Sequence, residues 1–160
     1  MLSDEDLQRE VERFRAAEEQ VRRDHAISHL LAALSGRIYE DINFFGGTAL
    51  GRTQLVAGRL SEDIDLIARG PRGEVVDKIR VAIGEGLLRS HGRVTWNHDF
   101  GLRDVEPTVL TTPDGISIRV QVLRKLIYAN WPVQLTKIDL RYSDVRPAGL
   151  CVPTIESFVA

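Results

Sequence analysis

The stretch Phe44 to Leu66 reads FFGGTALGRTQLVAGRLSEDIDL, and it constrains this chain more than any other. It joins a glycine pair, a hydroxyl residue and two aspartates one residue apart, with fifteen residues between Gly47 and Asp63. Two adjacent glycines let the backbone turn sharply and let an anion approach bare amides. A helix beginning at Thr48 aims its N-terminal dipole at that same anion. Asp63 and Asp65 flank Ile64. On a strand, residues two apart share a face, so the spacing predicts both carboxylates on the side of the glycine turn. A strand, a glycine turn, a helix and a second strand follow from this order. A phosphate cradle beside paired oxygen ligands suits metal-assisted nucleotide chemistry.

Plainer readings exist for each part. An Asp-x-Asp can open a calcium loop, but such a loop needs an acid or Asn at its fifth position and Gly at its sixth. Here those positions hold Ile67 and Ala68. The aspartates could be surface carboxylates at a strand end, and Gly46-Gly47 a simple tight turn. The co-occurrence of all three elements argues for a site.

The chain's 160 residues suit one domain with a hydrophobic core. No apolar run approaches the roughly 20 residues that span a membrane. The N-terminus, MLSDEDLQREVERF, is acidic and unlike a secretory signal. One cysteine, Cys151, excludes an internal disulfide, reads as a small core residue and fits a reducing cytoplasm. A net charge of −2 argues against a protein that coats nucleic acid, though not against a local basic groove. The 18 Arg against three Lys are scattered evenly, which reads as solvated surface.

The remaining pattern predicts an α+β fold: a mixed β-sheet core with packed helices, preceded by N-terminal helices. Ser3 and the acids after it start a helix with apolar residues at Leu7, Val11, Phe14 and Val21. A second helical stretch runs from His25 to Leu34 and ends at Gly36. His25 and His29 lie four apart on it, which is metal-ligand spacing, but no third ligand is evident and packing or exposure is the expectation. Ile42–Phe45 reads as a strand, Thr48–Val56 as a helix and Ile64–Ala68 as a strand. Residues 70–73 read as a loop and Glu74–Leu88 as an amphipathic helix, weakened near its end by Gly84 and Gly86. Val94–Phe100, Val105–Leu110, Ile116–Leu123 and Gln134–Tyr142 read as strands, the middle two joined by the turn Pro113-Asp114-Gly115. The expected organisation is an N-terminal helical segment over 1–36, a core over 37–146, and the start of a helical region over 147–160.

GGTAL followed by Arg59-Leu60-Ser61-Glu62-Asp63-Ile64-Asp65-Leu66 resembles the AbiEii/MenT toxin family, nucleotidyltransferases within the DNA polymerase beta-like superfamily. The resemblance covers roughly residues 25 to 160. It implies transfer of a nucleoside monophosphate from an NTP to an acceptor hydroxyl with loss of pyrophosphate, with a tRNA 3′ end as acceptor and a cognate antitoxin as partner. It implies that Gly46, Gly47 and Thr48, with Ser61 and Arg59, hold the triphosphate, and that Asp63 and Asp65 bind Mg²⁺ or Mn²⁺. Thr48 could equally cap its helix, and Arg59 could pair with Glu62. A third acid from another strand is expected at Asp139, with Lys137 on the same face. A surface strand carrying an ion pair is the plain alternative there. Trp96, Tyr128 and Trp131 could stack a base or simply be core.

Two departures stand out. Many relatives carry Lys where this chain has Phe45, which removes one phosphate contact. The family's helical half, with a further lysine and aspartate, is missing after Thr154, so the sequence reads as C-terminally truncated. Two other readings follow: a transferase acting on a small molecule or protein, and an inactive fragment that binds nucleotide or antitoxin without turnover.

Overall fold

Acids after Ser3 set up the first helix of the computed structural model, which describes residues 1–56, 58–97, 106–125 and 132–159. Helix α1 (Asp4–Phe14) begins where the Asp6 amide donates to Ser3 Oγ at 3.1 Å, and it stops at Arg15, whose φ of 50° is left-handed. Helix α2 (Glu18–Ile38) starts with the Ala17 amide donating to Gln20 Oε1 and runs past Gly36. A mid-helix glycine costs only about 1 kcal/mol. Burial of Ile38 and the bond from Ser35 Oγ to the Gly149 carbonyl hold the extra turn.

Seven strands form one mixed sheet in the order β3-β4-β5-β2-β1-β7-β6. At its centre, β1 (Ile42–Phe45) is antiparallel to β2 (Asp63–Ala68), with Phe45 opposite Asp65. On the other side of β2 lies β5 (Ser117–Arg124), parallel to it, with Asp63 opposite Arg119 and Asp65 opposite Gln121. Strand β4 (Thr108–Thr111) is antiparallel to β5, and the two-residue β3 (Thr95–Trp96) forms that edge. The turn at Pro113–Gly115 joins β4 to β5 as its sequence predicts, with Gly115 at φ 89°. Beyond β1, β7 (Ala148–Pro153) runs parallel to it, and β6 (Val133–Ile138) closes the far edge.

The core lies between the sheet and two long helices, α2 and α4 (Arg72–His91). Ile118, Val120 and Val122 of β5 are fully buried there, while the alternating residues Ser117 and Arg119 are exposed. At the α2–α4 crossing, Gly86 faces Ala33 so closely that any Cβ at position 86 would overlap the Ala33 side chain. The glycine that weakens α4 by propensity is thus required by helix packing, and the helix continues to His91.

Several boundaries differ from expectation. Helix α3 spans Gly46–Gly51, so it starts two residues before Thr48 and ends well before Val56. Arg72 and Gly73 open α4 instead of lying in a loop. Strand β6 ends at Ile138, which leaves Asp139 to Tyr142 outside it. The run AGLCVP forms β7, a strand inside the sheet, where a helical region was expected from residue 147. A short apolar run without alternation does not distinguish a buried strand from other buried structure. The short helix α5 (Ile155–Val159) does follow Thr154. Cys151 is free and half-buried on β7. Tyr128, Trp131 and parts of the strands expected over 94–100 and 105–110 lie outside the described residues. No helix among the described residues is long and apolar enough to cross a membrane.

Candidate active site

The end of β1, the start of β2 and the neighbouring β5 bring the motif together at one cleft. Gly47, Thr48, Arg59, Ser61, Glu62, Asp63, Asp65 and Arg119 line a cavity of about 660 Å³, closed on its far side by the α1–α2 turn with Phe14, Arg15 and Gln20. Both aspartates therefore open on the same space as the glycine turn.

Gly46 has φ 80°, a conformation that side chains disfavour. A Cβ built there would lie 2.5 Å from Asp65 Oδ2. The glycine thus serves two purposes: it allows the turn into α3, and it lets the carboxylate lie against bare backbone. Thr48 is buried, and its hydroxyl donates to the Asp63 carbonyl, tying α3 to the first residue of β2. Its hydroxyl is therefore neither a free phosphate donor nor a cap. Ser61 Oγ stands 3.7 Å from a Cβ built at Gly47.

The electrostatics divide into two halves. Burial raises the pKa of Asp65, the charge of Asp63 raises it further, and Arg119 pulls it back. Two hard oxygen donors that repel one another in this way suit a Mg²⁺-class cation, so the residues present fit the metal that the sequence implies. Around them stand Arg15, Arg59 and Arg119, all exposed and without an ion-pair partner among the described residues. Glu62 is occupied by Arg23 of α2 at 2.6 Å, so it does not neutralise Arg59. Carboxylates ringed by guanidinium groups can hold a metal ion and a polyphosphate side by side.

Neither Asp139 nor Lys137 is among the residues lining this cavity, and Lys137 lies on β6. In the sheet, β1 and β7 separate β6 from β2, which at about 4.8 Å per strand spacing is on the order of 14 Å. Asp139 donates its amide to the Arg52 carbonyl, and its carboxylate lies 3.9 Å from Arg141 and 4.0 Å from Arg13. Lys137 is exposed on the edge strand. Trp96 sits partly buried against the core, away from the cleft lining.

Two basic cleft residues escaped the sequence reading, Arg119 and Arg15. The alternation of β5 marks Arg119 as facing away from the core, but only the β2–β5 register shows that it stands opposite Asp63. Arg15 gives no signal beyond ending a helix.

No curated protein sequence matches the chain. Among solved structures, MenT4, a nucleotidyltransferase toxin of Mycobacterium tuberculosis, superposes with a TM-score of 0.60 at 21% identity. The alignment covers 87% of this chain and 50% of that one, so the chain spans about half the length of MenT4. The likeness is one of fold. The family model for the nucleotidyl transferase AbiEii toxin of type IV toxin–antitoxin systems matches residues 29–160, most of the chain and the whole cleft motif. This protein belongs to the AbiEii nucleotidyltransferase toxin family.

Proposed function

We propose that the cleft transfers a nucleoside monophosphate from an NTP to an acceptor hydroxyl, breaking the α–β phosphoanhydride bond and releasing pyrophosphate, with a tRNA 3′ end as the acceptor and a cognate antitoxin as the controlling partner in the cytoplasm. The observation that carries the reading is the placement of Asp63, Asp65 and the arginines Arg15, Arg59 and Arg119 around the glycine turn. Asp63 and Asp65 would hold the divalent ion. Once bound, Mg²⁺ neutralises phosphate charge and activates the acceptor oxygen.

The chain's own groups do the positioning. Arg119 and Arg59 clamp phosphate oxygens, where a guanidinium fork makes paired hydrogen bonds. Gly46 and Gly47 keep side chains out of the path of the triphosphate, beside Ser61. The Thr48 hydroxyl fixes the start of β2, and so the aim of Asp63, before substrate arrives. Preorganised contacts of this kind contribute about 10²–10³ in rate each. Asp139 and Lys137 stand outside this proposal, since neither lines the cavity and the Asp139 carboxylate faces Arg13 and Arg141.

The test is incubation of the protein with each labelled NTP, Mg²⁺ and total tRNA. Label on tRNA that Asp65→Asn abolishes and Arg119→Ala cuts by about 10²-fold supports the reading. Label found only in protein or small molecules would refute the acceptor, and no label in any pool would refute the transfer.

A further inference from the structure

Three of the chain's four histidines gather outside the lining of the active-site cleft. His25 and His29 lie one turn apart on α2, which places their rings on one side of the helix. Their ring centroids are 4.7 Å apart, and His91 of α4 packs beside both at 5.1 and 5.4 Å. Asp144, from the connection between β6 and β7, reaches into the group. Its Oδ2 lies 3.0 Å from His25 Nε2 and 3.1 Å from His29 Nε2. The donor atoms of His25, His29 and Asp144 all fall within 4.8 Å of one another.

We propose that His25, His29 and Asp144 form a binding site for a zinc-class divalent transition metal, separate from the carboxylate pair of the cleft. The geometry carries this. Ligands about 2.0–2.1 Å from a tetrahedral ion stand roughly 3.3 Å apart, so the two observed spacings need only a small expansion. Two imidazoles and a carboxylate are a borderline donor set that favours Zn²⁺, Co²⁺ or Ni²⁺ over Mg²⁺. His29 and Asp144 also line a cavity of about 760 Å³ between α2 and α4, which gives an ion an entry path and a position for water as a fourth ligand.

The third ligand is held in place without any ion. On one side of it, Tyr142 donates to Asp24 Oδ2 at 2.6 Å. Next to it, the amide and hydroxyl of Ser143 both donate to Asp6. Asp144 is thereby fixed against α2 by its neighbours. The Met1 ammonium, 3.1 Å from Asp144, is fully exposed and free to give way.

A bound ion would pin α2 to the β6–β7 connection. The N-terminal half of α2 carries Arg23, which donates to the Ser117 carbonyl and to Glu62, a residue of the cleft lining. The site is therefore structural, and its first readout is binding and stability.

The probe is Co²⁺ added to chelator-treated protein in excess Mg²⁺, which occupies the cleft carboxylates. Histidine-bound Co²⁺ gives visible absorption. The expected result is one equivalent bound, with a rise in Tm on adding Zn²⁺. His29→Gln and Asp144→Asn should each weaken binding at least about tenfold, while Asp63→Asn/Asp65→Asn binds as the parent does. Circular dichroism and metal-free Tm confirm that each variant folds, and the parent titration stands even if one does not. Absence of Co²⁺ binding by the parent overturns the proposal. So does binding that survives both His29→Gln and Asp144→Asn, or that is lost only with the cleft aspartates.

Discussion

At the scale of single residues, Gly46 and Asp65 work as one unit. Gly46→Ala meets two obstacles: a positive φ that alanine tolerates poorly, and Asp65 Oδ2 at 2.5 Å from the new Cβ. The expected cost is about 1–3 kcal/mol of stability. Transfer should fall much further, because the carboxylate has to swing from its position beside the turn. Urea denaturation and a labelling assay on the same preparation separate the two effects, and normal activity in a folded Gly46→Ala protein would refute the coupling. Asp65→Asn should do the reverse to stability. The native Asp65 pKa is raised above 3.8. Its contribution is favourable below the unfolded value and is lost as pH rises through the native one, so at neutral pH the ionised side chain is a net cost. Without metal, Asp65→Asn should therefore gain a few degrees in Tm, roughly 2–4 °C per kcal/mol. Added Mg²⁺ should raise Tm in the parent and little in this variant, and transfer should vanish. The sequence made this pair legible because both members belong to one local motif. Arg119 was not legible, because its role depends on a strand register reached across more than fifty residues.

At the scale of elements, α3 illustrates how a buried network overrides local pattern. Its sequence continues into residues that could stay helical, yet it ends at Gly51 because Arg52 turns inward at φ −112°, ψ 3°. The Arg52 guanidinium is buried and donates to Asp24 Oδ1 at 2.7 Å, to the Asp24 carbonyl and to Ser28. Arg141 meets the same Oδ1 at 2.7 Å, and Tyr142 donates to Oδ2 at 2.6 Å. One carboxylate on α2 thus anchors the end of α3 and the connection after β6. It also stops β6 at Ile138 by drawing Arg141 and Tyr142 away from the sheet edge. No spacing rule in the sequence shows that residues 24, 52, 141 and 142 meet, which is why the ends of α3 and β6 were misplaced. Asp24→Asn leaves two buried guanidinium groups under-compensated and should cost about 3–5 kcal/mol. Tyr142→Phe removes one hydrogen bond to a charged group and should cost about 1.5–3 kcal/mol. Denaturant midpoints measure both, and an Asp24→Asn loss no larger than that of Tyr142→Phe would show that the arginines have other compensation.

For the whole molecule, the fold class was legible because periodicity and turn residues mark most elements, but the sheet order was not. Strands β1 and β7 pair across more than a hundred residues, and nothing in AGLCVP announces its neighbours. Helix α1 is docked by a small cluster of Leu7, Val21 and Tyr142 and by the buried acid Asp6. Asp6 is 3% exposed; it accepts the Ser143 amide and hydroxyl at 3.0 and 2.7 Å and pairs with Arg9 at 2.6 Å. Burial pushes its pKa up, but the bonds from Ser143 and Arg9 outweigh that, and the net shift is downward from 3.8. The unfolded chain therefore takes up this proton before the native one does. The stability from Asp6 is complete above the unfolded pKa and disappears as pH falls through the native value. Because the α1–α2 turn forms one wall of the cleft through Phe14 and Arg15, the same loss should open the active site. Asp6→Asn should cost about 1.5–3 kcal/mol at neutral pH, the range for a hydrogen bond to a charged group. It should also flatten the fall in stability on the acid side. Denaturation at neutral pH and again below the unfolded aspartate value, for parent and variant, measures this. The difference between the two proteins should shrink in acid. A difference that stays constant with pH would mean that Asp6 holds α1 by shape alone, and that its charge contributes nothing to docking the helix.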